Sequence, residues 1–302
     1  MTLKEWSLLL LLALLWSGSF FLAEIALREL DFFSVVLGRV GPAAIALLLL
    51  VALTGQQLPR DWASWGAFMI MGLLNNAIPF GLIFWGQQSI DSGLAAILNA
   101  TTPFFAVILA HLLTTDERLT PNRIGGILSG IAGVAVLVGP DALRSLGAET
   151  LGQFAVLGAA FSYACAGIFG RRLRSFPVSV AATGMVTCSA LIALPVALVF
   201  GAPFAALPST PVWAAILGLS LLSTAAAYLV YFRILATAGA TNLMLVTLLL
   251  PAGALVLGMV FLNERFSWSA FAGLALILLG LLAVDGRAFR VLARRPAVQP
   301  GQ

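Results

Sequence analysis

Apolar residues fill ten long segments of the chain, and short polar stretches separate them. Each segment holds about 20 residues, which as a helix rise about 30 Å and match the hydrocarbon core of a bilayer. The pattern therefore predicts an all-α polytopic membrane protein with ten transmembrane helices. The predicted spans are residues 6–27, 32–53, 64–86, 92–113, 121–139, 151–170, 178–200, 211–234, 239–262 and 267–284.

Composition supports the same class. The chain is 61% hydrophobic and only 9% charged, which leaves too little polar surface for a soluble domain of 302 residues. The first segment resembles a signal peptide, but its apolar run continues to Ile25, so we expect it to remain as the first helix. Cys165 and Cys188 lie inside apolar segments and do not suggest a disulfide framework.

The chain contains one pattern twice. Asp116-Glu117-Arg118, Gly126 and Gly133 return as Asn263-Glu264-Arg265, Gly273 and Gly280, each pair of glycines and glutamates 147 residues apart (264 − 117, 273 − 126, 280 − 133). Pro103 and Pro251 precede the two copies. Each copy has five apolar segments, and because five is odd, the second copy must be inverted in the membrane. We therefore expect two inverted five-helix repeats, residues 1–140 and 151–285, and a short tail, residues 286–302; inverted repeats are typical of secondary transporters.

Basic residues predict the orientation. Twelve lie in one set of connections and at the termini, against three on the opposite side, so we expect both termini in the cytoplasm. The location that we expect is a bacterial inner membrane. The opposite three are Arg28, Arg144 and Arg265. The twelve are Lys4, Arg60, Arg118, Arg123, Arg171, Arg172, Arg174, Arg233, Arg287, Arg290, Arg294 and Arg295.

Polar and proline residues within the spans predict a central substrate pathway. A proline inside a helix frees the carbonyl four residues earlier, and such backbone is tolerated in a membrane only inside protein or beside a cavity. Aromatic residues near these positions would form apolar walls, although packing against the core or lipid is an alternative. The residues that we expect along the pathway are Trp16, Asn75, Asn76, Pro79, Phe80, Phe84, Trp85, Asn99, Thr102, Pro103, Tyr163, Tyr228, Thr247 and Pro251.

Two charged residues lie inside the first two spans. Glu24 is a candidate for carrying a proton or neutralising a cation, but we expect it to form an ion pair with Arg39. Glu117 and Glu264 precede helix starts, where a carboxylate favours the positive end of the helix dipole, and this duplication favours a structural role.

Small residues in the fifth and tenth segments predict close helix contact. Gly126 and Gly130 form a GxxxG motif, which Gly273 and Gly280 partly repeat. We expect these segments to pack within one molecule, and a monomer rather than a dimer.

No catalytic motif is apparent. The single histidine excludes an HExxH site, and no phosphate-binding loop occurs between a strand and a helix. We therefore expect neither an enzyme nor a cofactor, and no nucleic-acid partner; the expected partners are a small-molecule substrate and the lipid bilayer.

The segment Leu15–Phe20, Arg39 in the second span and the duplicated Pro…Glu-Arg…Gly pattern together resemble the drug/metabolite transporter superfamily, EamA type. The resemblance covers nearly the whole chain. It implies ten helices in two inverted halves and the export of small metabolites, with YddG-like aromatic amino-acid exporters as the suggested branch. Tyr163 stands where the second copy of the Trp16 motif would have tryptophan, so a two-fold site on the first and sixth helices is not implied.

The leading hypothesis is a secondary exporter of amino acids, aromatic or otherwise apolar, working by alternating access. A cationic drug exporter that uses Glu24 is the alternative among transporters. A phosphate-bearing substrate is disfavoured, since only Arg39 and Arg233 lie near the spans. A passive channel or a membrane scaffold is the alternative from another class.

Overall fold

The computed structural model describes residues 2–114, 119–139, 147–203, 207–238, 240–243 and 245–285. Within these ranges the chain forms helices and short connections, and no strand. Nine of these helices are long and apolar enough to cross a membrane, and a tenth, Val246–Phe261, is shorter. This confirms the predicted all-α, ten-helix membrane fold. Glu117, Arg118, most of the 140–150 connection and the tail 286–302 lie outside the described residues.

The helices follow the predicted spans closely. Their bounds are α1 Leu3–Ala26, α2 Phe32–Leu53, α3 Trp62–Gly86, α4 Ser92–Asn99 and Thr102–Leu113, α5 Pro121–Val138, α6 Ala148–Phe169, α7 Val178–Phe200, α8 Thr210–Leu217 through Ala227–Ala238, α9 Val246–Phe261 and α10 Trp268–Asp285. A 3₁₀ turn, Gly170–Leu173, follows α6, and a short helix, Ala240–Leu243, precedes α9.

Side-chain caps fix where several helices begin. Thr2, Asp31, Asp61 and Thr120 each accept a hydrogen bond from the backbone N–H three residues later. Such a cap satisfies one of the N–H groups that a helix start leaves without a partner. Pro121 follows Thr120 at the first helical position, where a proline costs no hydrogen bond.

Three central helices are irregular near the middle of the bundle. A π-helical segment, Leu73–Ala77, interrupts α3 just before Pro79, and a longer one, Gly218–Ala226, interrupts α8. The two segments are repeat mates, since 73 + 147 = 220 falls inside the second. In α4 the helix breaks at Ala100 and Thr101. π-Helical turns often occur at functional sites, and here they lie on the helices that the sequence associated with the pathway.

Helices of each half pack against helices of the other half. Helix α1 contacts α8 and α9 of the second half, and α6 contacts α3 and α4 of the first. The mates α2 and α7 contact one another, as do α5 and α10. Each half thus completes the walls of the other, and the space enclosed at the centre belongs to both.

Glycines allow α5 and α10 to touch through their backbones. A Cβ atom at Gly126 would lie 2.5 Å from the carbonyl oxygen of Gly280, and one at Gly133 would lie 2.7 Å from that of Gly273. Gly130 instead faces the ring of Phe104. The glycines of the GxxxG motif therefore serve contacts within one molecule.

Candidate substrate cavity

A cavity of about 670 Å³ lies between the two halves. Its walls come from eight helices, all except α5 and α10, and from the connection after α6. This size suits a small organic ligand. Ten of the residues singled out in the sequence line it: Trp16, Arg39, Asn75, Phe80, Phe84, Asn99, Thr102, Tyr163, Tyr228 and Thr247.

Aromatic rings form much of the wall. The rings of Phe80 and Phe84 stack with centroids 6.2 Å apart, and Trp16 contacts Tyr231 at 5.8 Å. Tyr163 faces the same space from α6. Such rings offer large apolar surfaces with little loss of side-chain entropy, and they are suited to apolar parts of a ligand.

A polar network joins three helices beside the cavity. The Nδ2 of Asn75 donates to the hydroxyl of Tyr228 at 2.9 Å, and that hydroxyl donates to Oδ1 of Asn76 at 3.0 Å. Asn76 Nδ2 donates in turn to Oγ of Ser189 at 2.9 Å. Ser189 also donates to the backbone carbonyl of Gly72, next to the π-helical segment. The network links α3, α7 and α8 and keeps the side chain of Asn75 on the cavity wall.

Arg39 is almost completely buried, with 6% of its surface exposed. Its guanidinium carbon lies 3.7 Å from the centroid of the Phe80 ring and 5.8 Å from that of Phe84. Its Nε donates to Oγ1 of Thr224 at 3.2 Å, and Thr224 belongs to the π-helical segment of α8. A cation–π contact of this kind is strongest where water is excluded.

The ion pair expected between Glu24 and Arg39 is not formed in the structure. Glu24 lies beside Gln87, whose Nε2 is 3.5 Å from its carboxylate and also donates to the carbonyl of Phe20 at 2.9 Å. Glu24 is not among the described residues that line the cavity. Arg39 contacts Phe80 and Thr224 of α8 instead. The rotation of α1 and α2 about their own axes decides which residues face each other, and the sequence alone does not give that rotation.

Five of the expected pathway residues do not line the cavity: Asn76, Pro79, Trp85, Pro103 and Pro251. Asn76 and the three prolines are buried between helices, whereas Trp85 is 39% exposed on the outer surface of the bundle. The prolines shape the walls from behind. Next to Pro251, for example, the carbonyl of Leu250 accepts a hydrogen bond from Ser17 Oγ at 2.8 Å.

Sequence reasoning missed several residues of the wall. Gln87 was not predicted, and its buried Oε1 has no hydrogen-bond partner in the described part of the chain; the same is true of Oδ1 of Asn99, which the sequence did predict. Arg171 and Arg174 line the cavity beside the 3₁₀ turn, although the sequence suggested only an orientation signal there. Their position at the end of a span whose middle carries Tyr163 was the available clue.

Glu264 has a structural contact, but at a different helix from the one expected. Its carboxylate accepts hydrogen bonds from the backbone N–H groups of Ser92 at 2.9 Å and Gly93 at 3.2 Å. It therefore caps the start of α4 rather than that of α10. The contact connects α4 to the α9–α10 connection, on the face opposite the 3₁₀ turn.

Charge is unevenly distributed around the cavity. Its described lining residues include three arginines, Arg39, Arg171 and Arg174, and no aspartate or glutamate. Arg39 lies about 10 Å along α2 from the start of that helix, since seven residues rise 1.5 Å each. Arg171 and Arg174 lie at the opposite end, beside the α6–α7 connection.

The helical fold and the central cavity define a membrane transporter. The chain belongs to the EamA-like transporter family, whose family model matches it twice, over residues 4–139 and 150–284.

Relatives carry names that agree with this class. A probable amino-acid metabolite efflux pump of Escherichia coli is 27% identical and covers 93% of this chain and 94% of its own length. The transporter YoaV of Bacillus subtilis is 25% identical over 80% of this chain and 83% of its own, and the inner membrane transporter YedA of Escherichia coli is 26% identical over 96% and 92%. A crystal structure with 20% identity shares the fold at a TM-score of 0.67, over 97% of this chain and 99% of that one.

Proposed function

We propose that the protein is a secondary transporter that exports amino acids with aromatic or other apolar side chains, the activity of the YddG-like branch. The observation that carries this proposal is the cavity itself. Its volume of about 670 Å³ suits one amino acid with some water, and its walls combine stacked aromatic rings with polar groups at the irregular helices.

The cavity walls suit two parts of an amino acid, its ammonium group and its apolar side chain. The oxygens of Gln87 and Asn99 have no partner in the described part of the chain and are covered in this conformation; they would accept hydrogen bonds from an ammonium group once the two side chains turn into the cavity. Phe84 and Tyr163 offer surface to an apolar side chain. The efflux-pump name of the Escherichia coli relative supports the same substrate class.

The walls also support alternating access. On one face the cavity reaches the α6–α7 connection at Arg174 and Phe176. On the other face it ends near Gln87, and the Glu264 contact to Ser92 holds α4 against the second half beyond it. From the basic bias we expect the α6–α7 connection in the cytoplasm, and we therefore propose that this conformation accepts substrate from inside the cell. Export then requires the Glu264 contact to open while the cytoplasmic side closes.

Counterflow in proteoliposomes tests the proposal. Vesicles loaded with unlabelled phenylalanine should accumulate labelled phenylalanine transiently, and the initial rate should saturate. Tyr163→Ala should slow the exchange because it removes cavity wall, whereas Trp85→Ala, on the outer surface, should leave it unchanged. A flux that rises linearly with concentration and shows no counterflow would indicate a channel instead.

A cationic drug exporter would need an anion in the cavity, and Glu24 is absent from its described walls. We therefore propose that Glu24 neither binds substrate nor carries the coupled proton. Glu24→Gln should retain phenylalanine counterflow and the pH dependence of export. Loss of pH-driven export with intact counterflow would instead identify Glu24 as the coupling residue.

A further inference from the structure

Arg39 is a buried cation that has no anionic partner among the described residues. Among the described residues its one hydrogen bond goes to the neutral hydroxyl of Thr224, and its guanidinium lies on the Phe80 ring. A guanidinium has five N–H donors, so the four on its two terminal nitrogens have no protein acceptor in the described part of the chain. Burial of a charge without a partner is costly, and inside a membrane such a residue generally marks a functional site.

The position of Arg39 makes those donors available to a ligand. Thr224 holds Nε from one side and Phe80 covers one face of the guanidinium plane, so the terminal nitrogens are left on the cavity wall. These contacts fix the orientation of the guanidinium group before any ligand binds. Two parallel N–H donors in a fixed plane match the two oxygens of a carboxylate.

The electrostatics of the whole cavity favour the same ligand. No aspartate or glutamate occurs among its described lining residues, and Arg174 adds positive charge at the mouth beside the α6–α7 connection. Cations along an apolar, narrow path raise the local concentration of an anion and speed its entry. Arg174 at the open side of the cavity would attract an anion, and Arg39 deeper in the cavity would bind it.

We propose that Arg39 is the carboxylate-binding residue of this transporter, and that its substrates are organic acids, amino acids included, rather than amines. Thr224 and Phe80 are positioning residues that hold the guanidinium. This inference deepens the proposed function, since it assigns one end of the substrate to one side chain, and it also holds for a carboxylate that has no amino group.

Four ligands of similar shape separate the two proposals. Phenylalanine carries both charged groups, and 3-phenylpropionate lacks the amine. Phenylalaninamide has a neutral carboxamide in place of the carboxylate, and 2-phenylethylamine has no carboxyl group at all. Binding to the purified protein is measured by ligand-dependent thermal stabilisation, because a ligand that binds the folded state raises its melting temperature. Phenylalanine should bind at least about tenfold more tightly than its amide, as expected for hydrogen bonds between charged groups.

Three variants assign that preference to Arg39. Arg39→Gln should abolish the preference for the acid while the amide binds as before. Arg39→Lys should keep part of it, because the charge remains but the fork is lost. Arg172→Gln is the matched control: it also removes one arginine, but that residue is exposed on the α6–α7 connection and is not a cavity residue. A change of folding alone would weaken all four ligands alike, and the Arg39→Lys protein shows whether the site survives.

The outcomes are distinct. Equal binding of acid and amide by the parent protein, or an acid preference that survives Arg39→Gln, overturns the role of Arg39 but leaves amino-acid export standing. Arg39-dependent binding of 3-phenylpropionate without binding of phenylalanine supports the carboxylate site and overturns the amino-acid proposal. Binding of 2-phenylethylamine alone overturns both.

Discussion

The hydroxyl of Ser129 donates a hydrogen bond to the backbone carbonyl of Leu276 at 2.8 Å, and the two residues are equivalent positions of the two repeats (276 − 129 = 147). On either side of this bond, Gly126 faces Gly280 and Gly133 faces Gly273. The residue numbers rise on α5 while they fall on α10, so the two helices are antiparallel. A helix that meets its own repeat mate in antiparallel orientation is the expected geometry at the pseudo-two-fold axis of an inverted repeat.

This contact predicts a sharp difference between neighbouring glycines. Gly126→Val should lower the melting temperature, since its side chain would push α10 away; overpacking of this kind costs about 1–3 kcal/mol. Gly125→Val is the control, because nothing lies within 4 Å of a Cβ there. Thermal unfolding in detergent measures both. Equal melting temperatures would mean that α5 and α10 separate without cost.

Cysteine accessibility should distinguish the cavity wall from the helix interfaces. In a background in which Cys165 and Cys188 are replaced by alanine, cysteine at Asn99 or Thr247 should react with a water-soluble maleimide, and substrate should slow the reaction. Cysteine at Asn76 should react much more slowly, because that side chain is completely buried. A reactive position 76 and inert positions 99 and 247 would place the water-filled path elsewhere.

Reporter fusions test the predicted orientation. A reporter that works only in the cytoplasm should be active when it is fused after Gln302. A reporter that works only outside the cytoplasm should be active when it is fused at Gly147, which follows an odd number of spans. A third fusion at Arg174 should agree with Gln302. The same side for Gly147 and Gln302 would contradict five spans in each half.

The pH dependence of stability should show that Asp31 links the start of α2 to the connection that follows α7. Partial burial raises the pKa of Asp31, but hydrogen bonds from Ser34 and from the Ala202 backbone outweigh it and hold the pKa below its usual value. The folded state thus favours the carboxylate. The stabilisation is complete above the unfolded value of about 4 and is lost as the pH falls through the lower folded value.

Asp31→Ala should therefore lower the melting temperature at pH 7, with about 0.5–2 kcal/mol from the lost cap alone, and the difference from the parent should shrink below about pH 4. Asp61→Ala is the matched control, since Asp61 makes the same cap to Ser64 but, among the described residues, no hydrogen bond beyond the start of its own helix. Melting curves at pH 7, 5 and 3 measure both. Equal losses for the two variants would show that the Ala202 bond adds nothing.

The sequence predicted the ten spans because apolar length and polar connections depend on local composition alone. It also located the irregular segments of α3 and α4, since Pro79 and Pro103 act on the backbone of their own helix. The π-helical segment of α8 contains no proline and was not predicted, whereas α9 continues through Pro251 without a break. Nine of the fourteen predicted pathway residues lie on the cavity wall. Most of them are polar, and polar side chains in a span tend to face inward.

The predictions that were wrong depended on the rotation of each helix about its own axis, which decides which side chains face inward. Trp85 and Phe84 are adjacent in sequence, yet one faces outward and the other is buried. Helices that are apolar on every side carry no pattern that marks their inner face. The partner of Arg39 was missed for this reason, because Thr224 is 185 residues away and reaches it only after both halves have packed.

That separation along the chain also sets an order of assembly. A ribosome adds about 5–20 residues per second, so Arg39 precedes Thr224 by roughly ten to forty seconds. Ser17 precedes the Leu250 carbonyl that it bonds by 233 residues. During synthesis the first half therefore resides in the bilayer with its cation and its polar groups lacking their final partners. Insertion of the second half is the step that completes the fold of the first, and a chain that stops early leaves an unfinished membrane segment for quality control to remove.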